Sequence, residues 1–499
     1  MPKNRPCTTQ AVIPMSSQRA TSATRCTGIV LALTLAGCAA VGPDYVPPHT
    51  ATPTAWHADL QGGLNAHATD PQVLAHWWQV LNDPVLTQLI TQASAGNRDL
   101  AVAQANIRAA RANRGIAAAA FYPTLDAKAS ATRTHNNAQI GSANSRELYT
   151  ADFDAQWELD LFGGTRRAVQ AADADVQASE EQLHDVLVSL LAEVALNYVD
   201  VRSLQERIAV AQQNLTTRSQ SSDITGWRYQ AGLSSALDAE QARYALEQSR
   251  AQLPTLRTSL AQTMNRLAVL TGRPPGAVEA LLVMPAPVPV TPLALAVGVP
   301  ADVLRQRPDV RRAERQLAAQ TARVGVASAA QYPNFSLLGT IGWETLSGGN
   351  LFTSATRVTA LGANITQPIF NAGRIRQTIE VQNALQEQAL ATYESTLLTA
   401  LQDVENALIA YAQEQQRYDA LQAGATAAQN AATLALDQYT SGLVDFQVVL
   451  ETQRALLLLQ EQVVISAGEV TANLIRLYKA LGGGWTPQRA YDLKAEAKS

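Results

Sequence analysis

The sequence has 499 residues, of which 47% are apolar, 5% aromatic and 16% charged. This length allows several domains or one elongated fold, because a single core usually stops growing near roughly 250 to 300 residues. An apolar share made mostly of Ala, Leu and Val is typical of closely packed helices and excludes a disordered chain. The 38 Lys and Arg residues against 42 Asp and Glu leave a net charge of −4, so no nucleic-acid partner is expected.

Residues 1–37 predict a signal peptide. The apolar run from Gly28 to Ala36 follows a basic stretch and is too short to span about 30 Å of hydrocarbon as a helix. The segment from Leu35 to Cys38 resembles a bacterial lipobox, in which the cysteine is acylated and becomes the new N-terminus. The alternative is a signal peptide with an incidental cysteine. Ala39 follows the cysteine where retained lipoproteins have Asp, so the resemblance implies export to the outer membrane, with Cys38 as the lipidation site.

Motifs for catalysis or metal binding are missing from the sequence. The three cysteines, Cys7, Cys26 and Cys38, all lie near the N-terminus, which leaves the rest of the chain without a thiol for a disulfide, a metal or catalysis. None of the six histidines has the i, i+4 or H-x-E spacing of a metal site. The G-x-S-x-G, Walker and G-x-G-x-x-G patterns are absent as well. The sequence therefore predicts no enzyme, no metal and no cofactor other than the covalent lipid on Cys38.

An internal repeat organises the rest of the chain. Tyr122-Pro123 recurs as Tyr332-Pro333, an offset of 210 (332 − 122), and residues 229–233 match residues 439–443 at the same offset. Several matches in the same order indicate two tandem copies of about 210 residues. The expected domains are a signal peptide (1–37), an N-terminal lipid-anchored extension with an equatorial segment (38–96), a first repeat (97–283), a proline-rich linker (284–300), a second repeat (301–485) and a polar tail (486–499).

Each copy contains segments in which apolar and polar residues alternate. From Tyr149 to Leu161 one face is apolar and the other strongly acidic, and residues 335–344 alternate in the second copy. Weaker alternation occupies about 125–134 and 356–366. A soluble sandwich with one wet face is one interpretation, but the lengths favour membrane-spanning strands. Four strands cannot close a barrel, because the smallest bacterial barrels have about eight, so we expect the chain to oligomerise.

Long helical stretches follow the strands in each copy. They run from about 165 to 218, 234 to 270, 374 to 422 and 445 to 480, with few prolines or glycines inside. A helix of about 50 residues extends roughly 75 Å. The helices are therefore expected to form a tube or a rod, and an ordinary antiparallel coiled coil is the alternative.

Several segments together resemble one known family. They are Cys38–Tyr45 after the lipobox, Arg305–Arg311 at the start of the second copy, Tyr332-Pro333, and Leu477–Trp485 near the end. On these residues the chain resembles the lipoprotein (NodT-type) branch of the TolC-like outer-membrane efflux proteins. The resemblance implies a mixed α and β membrane protein, in which a trimeric 12-stranded outer-membrane barrel, with four strands per chain, continues into a long periplasmic α-helical barrel with an equatorial belt.

The resemblance also implies positions for the functional residues. The helix-hairpin tips that contact the adaptor fall on Gly232, Leu233, Ser234, Gly442, Leu443 and Val444. The periplasmic gate falls on Asp238, Tyr439, Gln447, Glu451 and Arg454, with a hydrogen bond from Tyr439 to Asp238 and with Glu451 in place of the family's ring aspartate. Gln447 stands where related lipoprotein channels have a hydrophobic constriction, and Val444 where the founding member has an arginine latch, so the mode of closure departs from the family's pattern.

The implied function is that of a passive exit channel in the outer membrane. The expected partners are two further copies of the chain, a periplasmic membrane-fusion adaptor, an inner-membrane RND-type pump and outer-membrane lipid. The expected cargo is drugs or other small toxic solutes. Two alternatives remain open on the sequence: the outer-membrane channel of a type I protein secretion system, and a lipid-anchored periplasmic coiled-coil scaffold that has no pore.

Overall fold

The computed structural model describes residues 40–49, 52–67, 70–135, 145–289, 295–298 and 300–486. Cys38, the expected signal peptide and the tail beyond residue 486 lie outside the described residues. The chain divides into two compact units. One contains residues up to Tyr45 together with Gly115–Ala171 and Thr321–Ala384, and the other contains Val46–Arg114, Ala172–Gln320 and the chain from Leu385 onward.

The helices and strands follow each other in this order. They are β1 (Leu64–Asn65), α1 (Pro71–Ala75), α2 (Pro84–Gly96), α3 (Arg98–Ala119), β2 (Thr124–His135), β3 (Ser145–Leu159), α4 (Gly164–Gln230), α5 (Ala236–Leu270), α6 (Glu279–Leu282), β4 (Leu295–Ala296), α7 (Pro300–Gln306), α8 (Pro308–Ala329), β5 (Asn334–Thr345), β6 (Arg357–Thr366), α9 (Arg374–Thr440) and α10 (Phe446–Ala480).

The tandem repeat is visible in the bounds of these elements. Helix α8 begins 210 residues after α3 (308 − 98), and the pairs β2 and β5, α4 and α9, and α5 and α10 begin and end at the same offset. The sequence prediction placed the ends of α4 and α9 too early, near residues 218 and 422. Both helices continue to Gln230 and Thr440, because the chain first meets a helix-ending glycine with positive φ at Gly232 and Gly442.

The first unit contains an antiparallel sheet in the order β2-β3-β5-β6. Its register places Phe153 beside Ile341, and Ile341 beside Thr359, so the apolar residues of neighbouring strands share one face. The opposite face carries an ion pair between Lys128 Nζ and Asp154 Oδ2 at 2.7 Å. Within the described residues, β2 and β6 each pair with one strand only, which leaves two open edges for pairing with other chains.

The second unit has a core built from helices of both copies. Trp77 stacks on Tyr478 with 5.4 Å between ring centroids, and both are fully buried. Tyr198 donates a hydrogen bond to Asp83 Oδ2 (2.5 Å), while Asp83 Oδ1 accepts from the first amides of α2. Burial and this hydrogen bond raise the pKa of the Tyr198 hydroxyl well above its ordinary value, so the phenol stays protonated and holds α2 on α4.

Two further segments belong to the second unit. The stretch 284–300 contains β4, which pairs with β1 as a parallel two-residue strand, and α7 already begins at Pro300. Among the described residues, α10 is long and apolar enough to cross a membrane by length and composition. Its C-terminal half is nevertheless part of the core, where Leu474, Ile475 and Leu477 are fully buried.

Candidate gate at the tips of the helical hairpins

The two long hairpins reverse at equivalent glycines. In the first hairpin (α4 and α5), the amide of Leu233 donates to Arg228 O at 2.7 Å and the amide of Gly232 to Tyr229 O at 3.0 Å. This pair of hydrogen bonds is a Schellman motif, and it requires a left-handed residue, which is Gly232 with φ of 73°. The second hairpin (α9 and α10) repeats the motif around Gly442, with φ of 76°.

The predicted tip residues lie at these reversals. Leu233 and Leu443 are exposed large apolar side chains, as expected of a docking surface. Ser234 is half-buried and donates to Thr225 O at 3.3 Å. Val444 packs against the small core at the tips, which contains Phe446 and Val449.

Three of the predicted gate residues share one face of α10. Gln447, Glu451 and Arg454 are all exposed and follow each other at intervals of four and three residues, which places them on one helical stripe. The opposite stripe is buried and contains Val449 and Gln453. A carboxylate and a guanidinium on the open face can act on charged solutes or on a neighbouring chain.

The predicted hydrogen bond between Tyr439 and Asp238 is not formed within the chain. Tyr439 is 4% exposed, and its buried hydroxyl has no hydrogen-bond partner among the described residues. The Asp238 carboxylate instead accepts from the amide of Ser235 at 3.0 Å and completes a capping box at the start of α5. Asp238 therefore stabilises the helix end of its own hairpin.

Tyr439 is held by a residue that the sequence did not single out. The guanidinium carbon of Arg228 lies 4.7 Å from the centroid of the Tyr439 ring, within the range of a cation–π interaction. The Nη1 atom of Arg228 also donates to Thr440 O at 3.3 Å. Phe446 packs on Tyr439 at 5.3 Å between centroids. The end of α4 in the first hairpin thereby contacts the end of α9 in the second.

Further polar contacts join α4 to α10 above the tips. Arg207 pairs with Glu461 at 2.5 Å, and Gln453 Nε2 donates to Ser221 Oγ at 2.9 Å. Within the first hairpin, the buried Arg218 of α4 donates to Ala245 O of α5 at 2.9 Å. Burial, and then the positive charge of Arg454, lower the pKa of the Arg218 guanidinium.

Sequence reasoning missed Arg228 because a cation–π contact has no fixed spacing along the chain. It also missed three exposed apolar residues of the first hairpin, Trp227, Leu237 and Tyr244. A comparison of equivalent positions in the two copies could have identified these residues, because the copies differ there. Arg228 stands where the second copy has Gln438, and Leu237 and Tyr244 stand where it has Gln447 and Arg454.

Comparisons with known proteins agree with this architecture. The family model described as "Outer membrane efflux protein" matches residues 89–273 and 299–483, once for each copy. The toluene efflux pump outer membrane protein TtgF of Pseudomonas putida is 31% identical over 482 residues, which cover 94% of this chain and 98% of the relative. Nodulation protein T of Rhizobium leguminosarum bv. trifolii is 30% identical over 469 residues, covering 93% and 98%. The solved outer-membrane channel OprN is 34% identical with a TM-score of 0.83, covering 90% of this chain and 100% of that one.

The fold and these similarities define the class as an outer-membrane channel with mixed α and β structure. The chain belongs to the outer membrane efflux protein family. The resemblance drawn from the sequence is therefore confirmed, as is the function of an outer-membrane channel for efflux. The family is one of transport channels. The lipidation, tip and gate residues stay predictions.

Proposed function

We propose that the chain is the gated exit channel of a tripartite efflux system. Three copies close a twelve-stranded barrel, anchored by acylated Cys38, and receive solutes from an inner-membrane RND-type pump through a periplasmic membrane-fusion adaptor. The open edges of β2 and β6 support this assembly, because an unpaired strand edge in lipid leaves backbone groups without hydrogen bonds. The polar face that carries Lys128 and Asp154 then lines the water-filled lumen.

The observation that supports gating is the contact of Arg228 with the Tyr439 ring. It joins the two hairpins of one chain next to their tips, and separating the hairpins requires it to break. Glu451 lies on the exposed stripe of α10. When three chains converge, three such carboxylates attract cations and disfavour anions. Closure is steric, and the passage of ions through a partly open gate is selective.

The exposed apolar residues of the first hairpin are the candidate adaptor surface. Leu233, Leu237 and Tyr244 are all exposed near the turn, and exposed apolar side chains on a helical surface favour a protein partner. The named activity of TtgF concerns toluene. We extend it to this chain as a cargo class of small apolar solvents and drugs.

Planar-bilayer conductance of the purified protein tests the channel and its gate. The unmodified protein should give rare, small openings that are cation-selective, and Glu451→Gln should lower that selectivity without changing the frequency of opening. Glu469→Gln serves as the matched control, since this partly exposed carboxylate of α10 is paired with Arg476 at 2.8 Å. A folded, membrane-inserted preparation that never conducts would contradict the proposal and favour the scaffold without a pore.

The cargo class is tested in cells that carry the cognate pump and adaptor. Deleting the gene should raise susceptibility to toluene and to small apolar antibiotics, and expression of the chain should restore resistance. Restoration of protein secretion, with no change in solvent susceptibility, would instead favour the channel of a type I secretion system.

A further inference from the structure

The N-terminal segment of the described chain follows a fixed path. Residues 40–45 form neither helix nor strand, yet the amide of Val41 donates to Phe162 O at 3.0 Å. Phe162 lies in the turn between β3 and α4. The segment that begins two residues after Cys38 therefore runs along this turn, within the unit that contains the sheet.

Arg167, in the first turn of α4, holds this segment by its backbone. Its Nε atom donates to Val41 O at 3.1 Å, and its Nη2 atom donates to Gly42 O at 3.2 Å and to Ala40 O at 3.4 Å. Arg167 is 5% exposed. A planar guanidinium can serve three successive carbonyls at once, whereas a lysine ammonium is a single point of charge. Arg167 also pairs with Asp44 at 2.8 Å, but the Asp44 side chain is exposed to solvent, so this pair adds little.

Three glycines make room for the segment. A Cβ atom on Gly42, which has φ of +89°, would lie 2.4 Å from the Cα of Gly325 in α8. A Cβ atom on Gly163, which has φ of +79°, would lie 2.4 Å from Ala40 Cβ. A Cβ atom on Gly325 would lie 2.8 Å from Arg167 Cγ. A Cβ atom on Gly42 or Gly163 would also meet backbone atoms of Gly325 or Ala40, and one on Gly325 would push against the Arg167 side chain that binds the segment. A side chain at any of the three would therefore disturb the segment.

The second copy provides an internal comparison for this arrangement. Its strand-to-helix turn has the same left-handed glycine, Gly373, with φ of 84°. At the position of Arg167 it has Gln377, which is exposed, and Phe370 in the turn is 89% exposed. A Cβ atom on Gly115, the counterpart of Gly325, would meet nothing within 4 Å. Arg167 and the close glycine contacts are found in the copy that holds the N-terminal segment and not in the other. The repeated backbone alone therefore does not account for them.

Aromatic residues mark this end of the sheet. Trp157 in β3 donates its indole N–H to Phe121 O at 2.9 Å, and Phe162 stacks on Tyr332 at 4.8 Å between centroids. Aromatic girdles of this kind lie at the membrane–water interface of transmembrane barrels. Cys38 precedes Ala40 by two residues, and two residues of extended chain span at most about 7 Å.

We propose that Arg167, Gly42, Gly163 and Gly325 form a cradle that binds the chain's own N-terminal segment. The cradle thereby places the acylated Cys38 at the interfacial end of the sheet. Arg167 is a positioning residue, and the lipid is fixed beside the barrel wall and not tethered at variable distance. The position of the lipid rests on the acylation in the proposed function, whereas the binding of residues 40–44 by Arg167 does not depend on it.

Spin labelling at position 43 tests the cradle. Pro43 is exposed, and after removal of the signal peptide a Pro43→Cys substitution supplies the only free thiol when Cys38 is acylated. In the purified, full-length protein in lipid nanodiscs, the label should give an immobilised spectrum. Arg167→Gln, which matches the second copy, should lose the immobilised component, and Arg167→Lys should not restore it. Gln377→Ala, at the equivalent position, should leave the spectrum unchanged.

Two further variants separate the cradle from the lipid and from misfolding. Gly42→Ala lies outside every helix and strand, so it should free the label even if Arg167 variants fail to fold. In a Cys38→Ser protein exported with a signal peptide that is cleaved without acylation, the label should stay immobilised, because the cradle binds the backbone. An unchanged spectrum in both folded Arg167→Gln and Gly42→Ala would overturn the proposal. So would a label that is mobile in Cys38→Ser alone, since membrane insertion of the lipid would then hold the segment. The mass of the N-terminal peptide reports acylation separately.

Discussion

The α4–α5 hairpin and the α9–α10 hairpin begin, turn and end at positions 210 residues apart, but they present different surfaces. On the exposed stripe next to the turn, the first hairpin carries Leu237 (65% exposed) and Tyr244 (59% exposed). The second carries Gln447 and Arg454 at the same positions, with Glu451 between them. The repeated backbone thus supplies one apolar stripe, suited to a protein partner, and one charged stripe, suited to an aqueous lumen.

The bases of the two hairpins differ in the residue that holds the end of the last helix. In the first copy Asn97 Nδ2 donates to Leu270 O at 2.9 Å. In the second, Arg307 Nη1 donates to Ala480 O at 3.0 Å and also pairs with Asp309 (2.6 Å) and Asp403 (3.0 Å). A neutral amide and a paired guanidinium occupy equivalent positions. Substituting each one therefore compares how much the two side chains contribute to stability.

Arg307→Ala should have the largest effect on stability. It leaves Asp309 without its main partner in a half-buried site and removes the bond to Ala480 O, at a cost of about 3 kcal/mol in the free energy of unfolding. Asn97→Ala should cost about 1 to 2 kcal/mol. Denaturant unfolding in detergent measures both. Arg305→Ala is the control, because that side chain is exposed and lies 3.7 Å from its partner Asp302. Equal losses for the Arg305 and Arg307 variants would contradict the assignment.

The contribution of Arg307 should depend on pH. Burial alone would raise the pKa of Asp309, but its hydrogen bond to Arg307 and the charge of Arg307 outweigh burial, so the pKa is held below the ordinary value of 3.8. A carboxyl with a lowered pKa in the folded state stabilises the fold above its unfolded pKa and loses that contribution as the pH falls through the folded pKa. The stability difference between the unmodified protein and Arg307→Ala should therefore shrink below about pH 4.

Exchanging the exposed stripe of the first hairpin for that of the second should abolish tight binding of the adaptor. Leu237→Gln combined with Tyr244→Arg removes two apolar anchors worth about 3 kcal/mol together, which is roughly a hundredfold in Kd. Binding to the immobilised adaptor measures it, and helix content should not change. Arg243→Gln, an exposed polar change on the neighbouring position, should bind like the unmodified protein. Unchanged affinity in the double variant would place the adaptor elsewhere.

Arg228→Gln should loosen the gate. It installs the residue that the second copy has at position 438 and removes a cation–π contact of about 1 kcal/mol per chain, which is about fivefold in the closed-to-open ratio for each chain. Tyr439→Leu should have the same effect in single-channel recordings. Tyr439→Phe should open no more often than the unmodified protein, because the phenol hydroxyl has no partner among the described residues. Tyr229→Leu is the matched control, since this counterpart is exposed. A large effect of Tyr439→Phe would instead favour the link to Asp238 expected from the family.

The sequence was sufficient for the parts of the fold that recur. Alternation defined the strands, because their register keeps Phe153 and Ile341 on one face, and the repeated Gly232 and Gly442 located both turns. It was insufficient where equivalent positions diverge. Asp238 and Tyr439 were paired by resemblance, but the start of α5 uses the Asp238 carboxylate as a helix cap and Arg228 covers the Tyr439 ring. A side chain with two chemically sensible partners takes the one that the local backbone brings within reach, and spacing along the chain does not encode that choice.

The smallest predicted effect concerns the caps of the two returning helices. Ser235 Oγ accepts from the Asp238 amide at 3.1 Å and completes the capping box of α5, whereas the Asp445 side chain makes no capping hydrogen bond to α10. Ser235→Ala should therefore cost about 1 kcal/mol locally, seen as roughly fivefold faster hydrogen exchange at the Asp238 amide. Asp445→Ala should change exchange in the first turn of α10 by less than about twofold, because only the interaction with the helix dipole is lost. Equal acceleration in both hairpins would mean that the two turns are stabilised in the same way, and the first tip would then not be the more rigid platform for a partner.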